Sequence, residues 1–298
     1  MRHRLASTDG ILLVTVVIWA LNITVTKYIL THGFQPLAYS AVRYGFATAI
    51  FLVLTVALER SLRIAGRGQR RHVAAAAFAL FLNQVCFVYA LKLTTATTVA
   101  LILGTMPVFA ALLSSLAGVE TATRRFWLAA GVSFGGVALV AAGSGGDFSG
   151  DLAGILIAVG VSATWAAYSV AIAPLMRTYS PFRISAVVLT VMWVPLAALA
   201  GPQLADQELD LGWRVWLSFA FAVVGPLVLT NVLWFTAVHR VGPARASLFA
   251  NLQPFLAALF ALLLLSEPLS AWQVAGGALI AAGILLAGRR EAVAAPPE

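Results

Sequence analysis

The sequence predicts an all-α integral membrane protein in which ten transmembrane helices form two inverted five-helix repeats. Three observations lead to this prediction. Hydrophobic residues make up 61% of the 298-residue chain and charged residues 10%, whereas a soluble domain carries about 25% charged residues. Apolar runs of membrane-spanning length recur along the whole chain. A stretch at 243–268 also matches an earlier stretch at 96–121 without a gap, at an offset of 147 positions.

The membrane spans follow from the lengths of the apolar runs. A helix needs about 20 apolar residues to cross roughly 30 Å of hydrocarbon. Arg2 and Arg4 precede the first run, but no small-residue cleavage site follows it, so we expect a retained helix rather than a signal peptide. The ten predicted spans cover residues 10–30, 36–58, 72–92, 95–118, 125–143, 152–176, 183–201, 214–238, 244–265 and 271–288.

The basic residues predict the orientation of these spans. If the N-terminus is cytoplasmic, the inner segments hold fifteen arginines, while the outer segments hold only Lys92 and Arg214. Lys and Arg concentrate in cytoplasmic loops, so we expect both termini in the cytoplasm. We therefore attribute the net charge of +8 to membrane orientation and not to nucleic-acid binding. Five spans are an odd number, which gives the two repeats opposite orientations.

We assign residues 1–148 to the first five-helix repeat and 149–298 to the second. Pro107 aligns with Pro254, and Glu120 aligns with Glu267. A proline inside a span removes a backbone hydrogen bond at position i−4. The two prolines are therefore predicted to be helix hinges, with ligation of substrate by the freed carbonyls as the alternative. The two glutamates lie at span ends, where either a structural boundary role or proton coupling would suit them.

Polar and aromatic side chains at mid-span are the candidates for a substrate cavity, because each is costly in lipid unless it faces protein or water. Three pairs are spaced by three residues, which places both members on one helix face. Packing aromatics and interhelical hydrogen bonds are the alternative interpretation. The pairs are Trp19 with Asn22, Trp165 with Tyr168, and Asn231 with Trp234, and Asn83 and Asn251 join them as further candidates.

Three cationic side chains also lie within or near the outer halves of the spans. Arg43 lies seven residues past Pro36, about 10 Å into the second span at 1.5 Å per residue. It serves either the cavity or a packing network. Lys27 and Lys92 lie near span ends, where we expect their ammonium groups to extend to the outer headgroups.

Catalytic, metal and cofactor functions find no support in the sequence. No GxSxG, Walker A or zinc-ligand spacing occurs. The four histidines lie in loops or at span ends, and Cys86 is the single cysteine, so neither a metal site nor a disulfide framework is expected. We predict no enzyme activity and no cofactor.

Small residues line the fifth and tenth spans. Gly131 and Gly135 lie four residues apart in the fifth, and Gly276, Gly277 and Gly283 lie in the tenth. Such faces let helices approach closely. We expect packing within the scaffold, with a homodimer seam as the alternative; the protein is either a monomer or a homodimer.

The proline-to-glutamate pattern resembles that of the EamA-type drug/metabolite transporter superfamily. It runs from Pro107 to Glu120 and from Pro254 to Glu267, and a glycine-rich closing helix follows each copy, at 129–143 and 275–288. The resemblance covers essentially the whole chain. It implies a bacterial inner-membrane exporter of small organic metabolites, with a central cavity built from both repeats.

The substrate prediction combines this resemblance with the residues. The sequence WAAY at 165–168 is similar to the sixth helix of the family's aromatic amino acid exporters, and indoles beside amides suit such substrates. We therefore expect export of neutral or aromatic amino acids by alternating access. The alternatives are efflux of hydrophobic cations, drugs or purines and, from another class, a non-transporting membrane scaffold or an integral-membrane enzyme. The expected partners are a small-molecule substrate and the lipid bilayer.

Overall fold

The computed structural model describes residues 2–116, 124–143, 148–241 and 252–288. Within these ranges the secondary structure is helical, without strands. The α-helices are α1 (Arg2–Thr31), α2 (Pro36–Glu59), α3 (Arg67–Leu93), α4 (Ala96–Leu103), α5 (Met106–Leu116), α6 (Arg124–Ala142), α7 (Phe148–Ile172), α8 (Pro181–Ala205), α9 (Trp213–Val223), α10 (Thr230–Val241), α11 (Gln253–Leu265) and α12 (Ala271–Gly288).

Six helical stretches in the described ranges are long and apolar enough to cross a membrane, which makes this a multi-pass integral membrane protein. Three shorter apolar helices accompany them, at Trp127–Ala142, Gln253–Leu265 and Ala271–Gly283. The count of ten spans and their inverted repetition stay predictions. The six long stretches are Thr8–Thr31, Pro36–Glu59, Arg67–Leu93, Leu152–Arg177, Pro181–Ala205 and Trp213–Trp234.

The fourth predicted span is interrupted after Leu103. Helix α4 ends there, and α5 begins at Met106 after a turn through Gly104 and Thr105. The turn is held by the Thr105 backbone N–H and hydroxyl, which both donate to the carbonyl of Ile102, at 2.9 and 2.8 Å. Pro107 is the second residue of α5 and has no N–H to continue a helix from Leu103. The break therefore follows directly from the sequence around this proline.

The N-terminus of α4 is capped by a carboxylate from the other half of the chain. Glu267 accepts hydrogen bonds from the backbone N–H groups of Ala96 and Thr97, at 3.0 and 2.9 Å. The Thr95 hydroxyl accepts from the N–H of Thr98 at 3.1 Å. These contacts satisfy N–H groups that a helix start leaves without partners, and a negative charge there suits the helix dipole.

Lys27 is engaged with the backbone, so the expectation that it extends to the headgroups is wrong. Its Nζ donates to the carbonyls of Leu91 and Thr94, at 2.6 and 2.8 Å, where α3 ends. A cation near the last carbonyls of a helix is favourable for the same reason that Glu267 is favourable at a helix start. Lys92 is exposed. Its extension to the outer headgroups stays a prediction.

The glycine faces pack inside the chain, but the contact lies one residue from the predicted pair. Helices α6 and α12 cross so closely that a Cβ on either Gly136 or Gly276 would lie 2.6 Å from the other's carbonyl oxygen. Gly131 and Gly135 face open space, so the expectation that these two glycines pack within the chain is wrong, and the homodimer alternative stays a prediction. Gly283 packs against the backbone of α6, as expected for the tenth span.

Helices α2 and α8 are joined at both ends and in the middle. Before α2, the Gln35 N–H donates to Oε1 of Gln207 at 2.7 Å. In the middle, the Trp193 indole N–H donates to the carbonyl of Ala41 at 2.8 Å. At the far end, Arg183 forms an ion pair with Glu59 at 2.9 Å. The pair α2–α8 is therefore a single packed unit.

Candidate functional site

The eighth predicted span contains a π-helical segment, Val224–Leu229, between α9 and α10. Pro226 lies inside this segment. In an α-helix the carbonyl of Ala222 would accept from the N–H of residue 226, which proline does not have. π-Helical turns are frequent at functional sites. The Ala222 carbonyl therefore lacks its α-helical donor, and a donor from another helix can bond to it.

Arg43 provides the missing donor. Its Nε donates to the Ala222 carbonyl at 2.9 Å, and one Nη donates to Oδ1 of Asn22 at 3.1 Å. Arg43 is 3% exposed and Asn22 is 9% exposed. The guanidinium thus joins α1, α2 and α9 in the interior of the helix bundle. Both partners are neutral acceptors.

Two tyrosine rings flank the guanidinium. The Arg43 Cζ lies 5.7 Å from the ring centroids of both Tyr39 and Tyr44, within the range of cation–π attraction. The Tyr39 hydroxyl and the Thr26 hydroxyl share a hydrogen bond at 3.0 Å, which ties α2 to α1 a second time. No carboxylate of a described residue lies within 4.0 Å of the Arg43 guanidinium.

Two indoles lie beside this network. The Trp19 N–H donates to the Thr230 hydroxyl at 2.8 Å, and that hydroxyl donates to the Pro226 carbonyl at 2.7 Å. The rings of Trp19 and Trp234 lie 5.1 Å apart between centroids. The structure therefore brings the predicted residues Trp19, Asn22 and Trp234 to the same interhelical region as Arg43.

Asn231 lines a separate cavity of about 240 Å³. Its amide donates to the Ser185 hydroxyl at 3.4 Å, a long contact. Since Pro181 and Phe182 begin α8, the cavity lies toward the end of the bundle that the arginine distribution predicts to be cytoplasmic. Its lining residues are Phe51, Pro181, Phe182, Asn231, Val232 and Thr236.

The other predicted pair lies on α7, away from the α1 network. The rings of Trp165 and Tyr168 are 5.5 Å apart between centroids, and Trp165 is 36% exposed. Tyr168 packs against the buried cluster that contains Tyr44. Trp165 thus has an open face, whereas Tyr168 points toward the neighbours of Arg43.

Asn83 ties α3 to α7. Its amide donates to the Val161 carbonyl at 2.9 Å and to the Thr164 hydroxyl at 3.2 Å, and its own carbonyl accepts from Gln84 at 3.0 Å. The Gln84 side-chain carbonyl is buried without a partner in the described part of the chain. The Asn83 amide is therefore an interhelical link, whereas the Gln84 amide donates within α3.

The remaining predicted residues are two prolines and Asn251. Pro254 is the second residue of α11, as Pro107 is of α5. Each proline therefore lies in the first turn of a helix, where a missing N–H costs little. Their hinge role stays a prediction. Asn251 lies outside the described residues.

Among the contributors to the site that were missed in the sequence are Pro226, Tyr44 and Thr230. Pro226 carries the same signal as Pro107 and Pro254, a proline inside an apolar run, and could have been found by the same rule. Tyr44 and Thr230 gave no signal, because an aromatic residue or a threonine in an apolar helix is ordinary. The described residues contain no group of three or more His, Cys, Asp or Glu that could hold a metal ion.

Known proteins resemble this chain along most of its length. A family model described as the EamA-like transporter family matches it twice, over residues 7–142 and 152–289. The uncharacterized transporter YyaM of Bacillus subtilis (strain 168) is 24% identical over 261 residues, covering 85% of this chain and 85% of the relative. An uncharacterized transporter of Archaeoglobus fulgidus is 23% identical over 282 residues, covering 94% and 98%. A solved crystal structure of a protein matches with a TM-score of 0.63 at 19% identity, covering 95% of this chain and 96% of that one, and this likeness shows a shared fold.

Proposed function

Because the chain belongs to the EamA-like transporter family, we propose that it exports small organic metabolites, in the first place neutral or aromatic amino acids, by alternating access through a cavity between its halves. The double match of the family model supports the assignment of two repeats. The arginine distribution supports an orientation with both termini in the cytoplasm of a bacterial inner membrane.

The main support for this proposal is that polar and aromatic side chains from different helices lie together at the π-helical segment. Irregular backbone inside a membrane is tolerated where it is buried in protein or lines a cavity, and transporters place their substrate sites at such interruptions. Here Arg43 of α2 satisfies the interruption by donating to the Ala222 carbonyl, and Asn22 of α1 accepts a second hydrogen bond from the same guanidinium. The indoles of Trp19 and Trp234 lie beside the interruption.

The amino acid substrate class is supported by the same groups. Indole rings can stack on an apolar or aromatic side chain, and Asn22 and Thr230 can hydrogen-bond a polar head. Efflux of hydrophobic cations is disfavoured because the site carries a positive charge, and no described carboxylate pairs with it.

The proposal is tested by transport in proteoliposomes of purified protein. We expect saturable, stereoselective movement of labelled L-phenylalanine, L-tyrosine or L-leucine. Trp19→Ala should lower this flux at least about tenfold, because it removes both the ring beside Trp234 and the donor to Thr230. Trp213→Ala is the matched control, because Trp213 begins α9 and is 70% exposed.

The outcomes of this experiment distinguish an error in the substrate class from an error in the transport function. If organic cations or purines move and amino acids do not, transport is retained and the substrate class is wrong. If no compound moves through folded protein, the proposed transport function is wrong. If both tryptophan variants behave alike, Trp19 does not line the path.

A further inference from the structure

We propose that Arg43 binds the carboxylate of the transported molecule, so that the substrates are carboxylates, such as amino acids and organic acids, rather than amines, organic cations or purines. This inference rests on the proposed transport function and specifies the ligand of its site. It follows from the charge of Arg43, from its unused donors, from the groups around it and from its position relative to the cytoplasmic cavity.

The first step concerns charge. Arg43 is 3% exposed and lies well inside α2. A buried ionised group is strongly unfavourable unless a counter-charge accompanies it. No carboxylate lies within 4.0 Å of it among the described residues. The described acidic residues lie near helix ends or in connections instead. A substrate anion would supply the missing negative charge at the stage of the cycle when it is bound.

The second step concerns the hydrogen bonds. Satisfying the Ala222 carbonyl requires a single neutral donor, which a glutamine or serine could supply. Arginine has five N–H donors in a planar fork, and Arg43 donates hydrogen bonds to one backbone carbonyl and one amide oxygen. These two contacts orient the fork. The end formed by the two Nη groups has the geometry that pairs with a carboxylate through two parallel hydrogen bonds.

The third step concerns size. Asn22 contacts the guanidinium, and Trp19 lies one helical turn away on the same face of α1. Three residues correspond to about 4.5 Å along the helix axis. A carboxylate on Arg43 would therefore leave the rest of an amino acid beside the indoles of Trp19 and Trp234. This is the arrangement that an α-amino acid with an apolar side chain requires.

The fourth step concerns the route. Phe51 lines the cavity near the cytoplasmic end, and Tyr44, next to Arg43, lies seven residues earlier on the same stripe of α2. The two aromatic residues belong to one buried cluster, and seven residues span about 10 Å. Movement of the Tyr44 and Phe51 rings would connect the cavity with Arg43.

The experiment compares relatives of L-phenylalanine that keep the carboxylate with relatives that lack it. Efflux of labelled L-phenylalanine from proteoliposomes is measured against unlabelled 3-phenylpropionate, 2-phenylethylamine and L-phenylalanine amide, and parallel efflux assays use labelled tetraphenylphosphonium and adenine. We expect the concentration of 3-phenylpropionate that halves efflux to lie within about tenfold of that of unlabelled L-phenylalanine. The amine and the amide should need a concentration at least tenfold higher than 3-phenylpropionate. Equal competition by the amine or the amide would overturn the inference.

Variants then assign the effect to Arg43. R43Q keeps a donor for the Ala222 carbonyl and removes the charge, R43K keeps the charge and removes the fork, and R63Q makes the same change at an exposed loop arginine. We expect R43Q to lose the preference for 3-phenylpropionate over 2-phenylethylamine, R43K to keep part of it, and R63Q to match the wild type. A purely structural role for Arg43 would lower the amount of folded protein without changing this preference.

The outcomes separate this inference from the proposed function. If R43Q does not fold, the competition measured with R43K and with the wild-type protein still tests whether Arg43 binds the carboxylate. If tetraphenylphosphonium or adenine is transported and no carboxylate is, the protein is a transporter and the inference is wrong. If nothing is transported, the proposed function fails and the inference fails with it.

Discussion

The carboxylate of Glu267 is predicted to stabilise the fold by holding the first turn of α4. It accepts two backbone N–H bonds, from Ala96 and Thr97, and these residues are buried. A net hydrogen bond to a charged group contributes about 1.5–3 kcal/mol. Removal of a helix cap costs about 0.5–2 kcal/mol. Because Glu267 is half-buried, we take the lower parts of these ranges.

Glu267→Ala is then expected to lower the free energy of unfolding by about 2–3 kcal/mol, since both acceptors and the charge at the helix start are lost. Glu267→Gln keeps one acceptor oxygen and should lower it by about 1 kcal/mol. The measurement is unfolding of the purified protein by sodium dodecyl sulfate in mixed micelles, followed by circular dichroism.

Glu208→Ala and Glu208→Gln are the matched controls. Glu208 is an exposed acidic residue in the connection between α8 and α9, where a surface substitution should change stability by less than about 0.5 kcal/mol. If the Glu267 variants are no less stable than the Glu208 variants, the carboxylate does not hold α4 and the reasoning from helix capping is refuted.

Three further predictions use matched pairs of residues, with unfolding measured in the same way. Gly276→Ala places a Cβ 2.6 Å from a carbonyl oxygen of α6 and should cost about 1–3 kcal/mol, whereas Gly131→Ala meets open space and should be neutral or stabilising by up to about 1 kcal/mol. Lys27→Met removes two charge-assisted bonds and should cost about 1–2 kcal/mol, whereas Lys92→Met should change stability by less than about 0.5 kcal/mol. Pro226→Ala supplies an N–H to the Ala222 carbonyl and should leave the free energy of unfolding unchanged or raise it by about 1 kcal/mol. Because the same substitution releases Arg43 from this carbonyl, it should lower transport in vesicles at least about tenfold.

The helix boundaries could be predicted where a proline, a charged residue or the end of an apolar run marks them in the sequence. The second predicted span, 36–58, agrees with α2, Pro36–Glu59, because a proline begins the run and an acidic residue ends it. The tenth, 271–288, agrees with α12, Ala271–Gly288. In both cases the limits of an apolar run are also the limits of the segment that can be buried in lipid.

The contacts between distant residues could not be predicted. Glu267 caps a helix 171 positions earlier, and a carboxylate at a span end gives no information about which helix start it will meet. The glycine seam shows the same limit. The pattern identified small residues on α6, but the rotation of α6 against α12, which selects Gly136 over Gly131 and Gly135, depends on every neighbour of both helices. Sequence spacing shows which residues share a face of one helix, but it does not show toward which neighbouring helix that face is turned.

If the chain works by the proposed alternating access, the packing of α2 indicates which contacts that movement must break. Its links to α8 occur at both ends and in the middle. Its polar links to α1 and α9 are concentrated at Arg43, with one further bond between Tyr39 and Thr26. We therefore expect the α2–α8 unit to move as one body against α1 and α9. Such a movement separates Arg43 from Asn22 and from the Ala222 carbonyl, and a buried guanidinium that loses two acceptors must gain others. A substrate carboxylate arriving at that stage would replace both, so that binding of the substrate and opening of the interface become the same step.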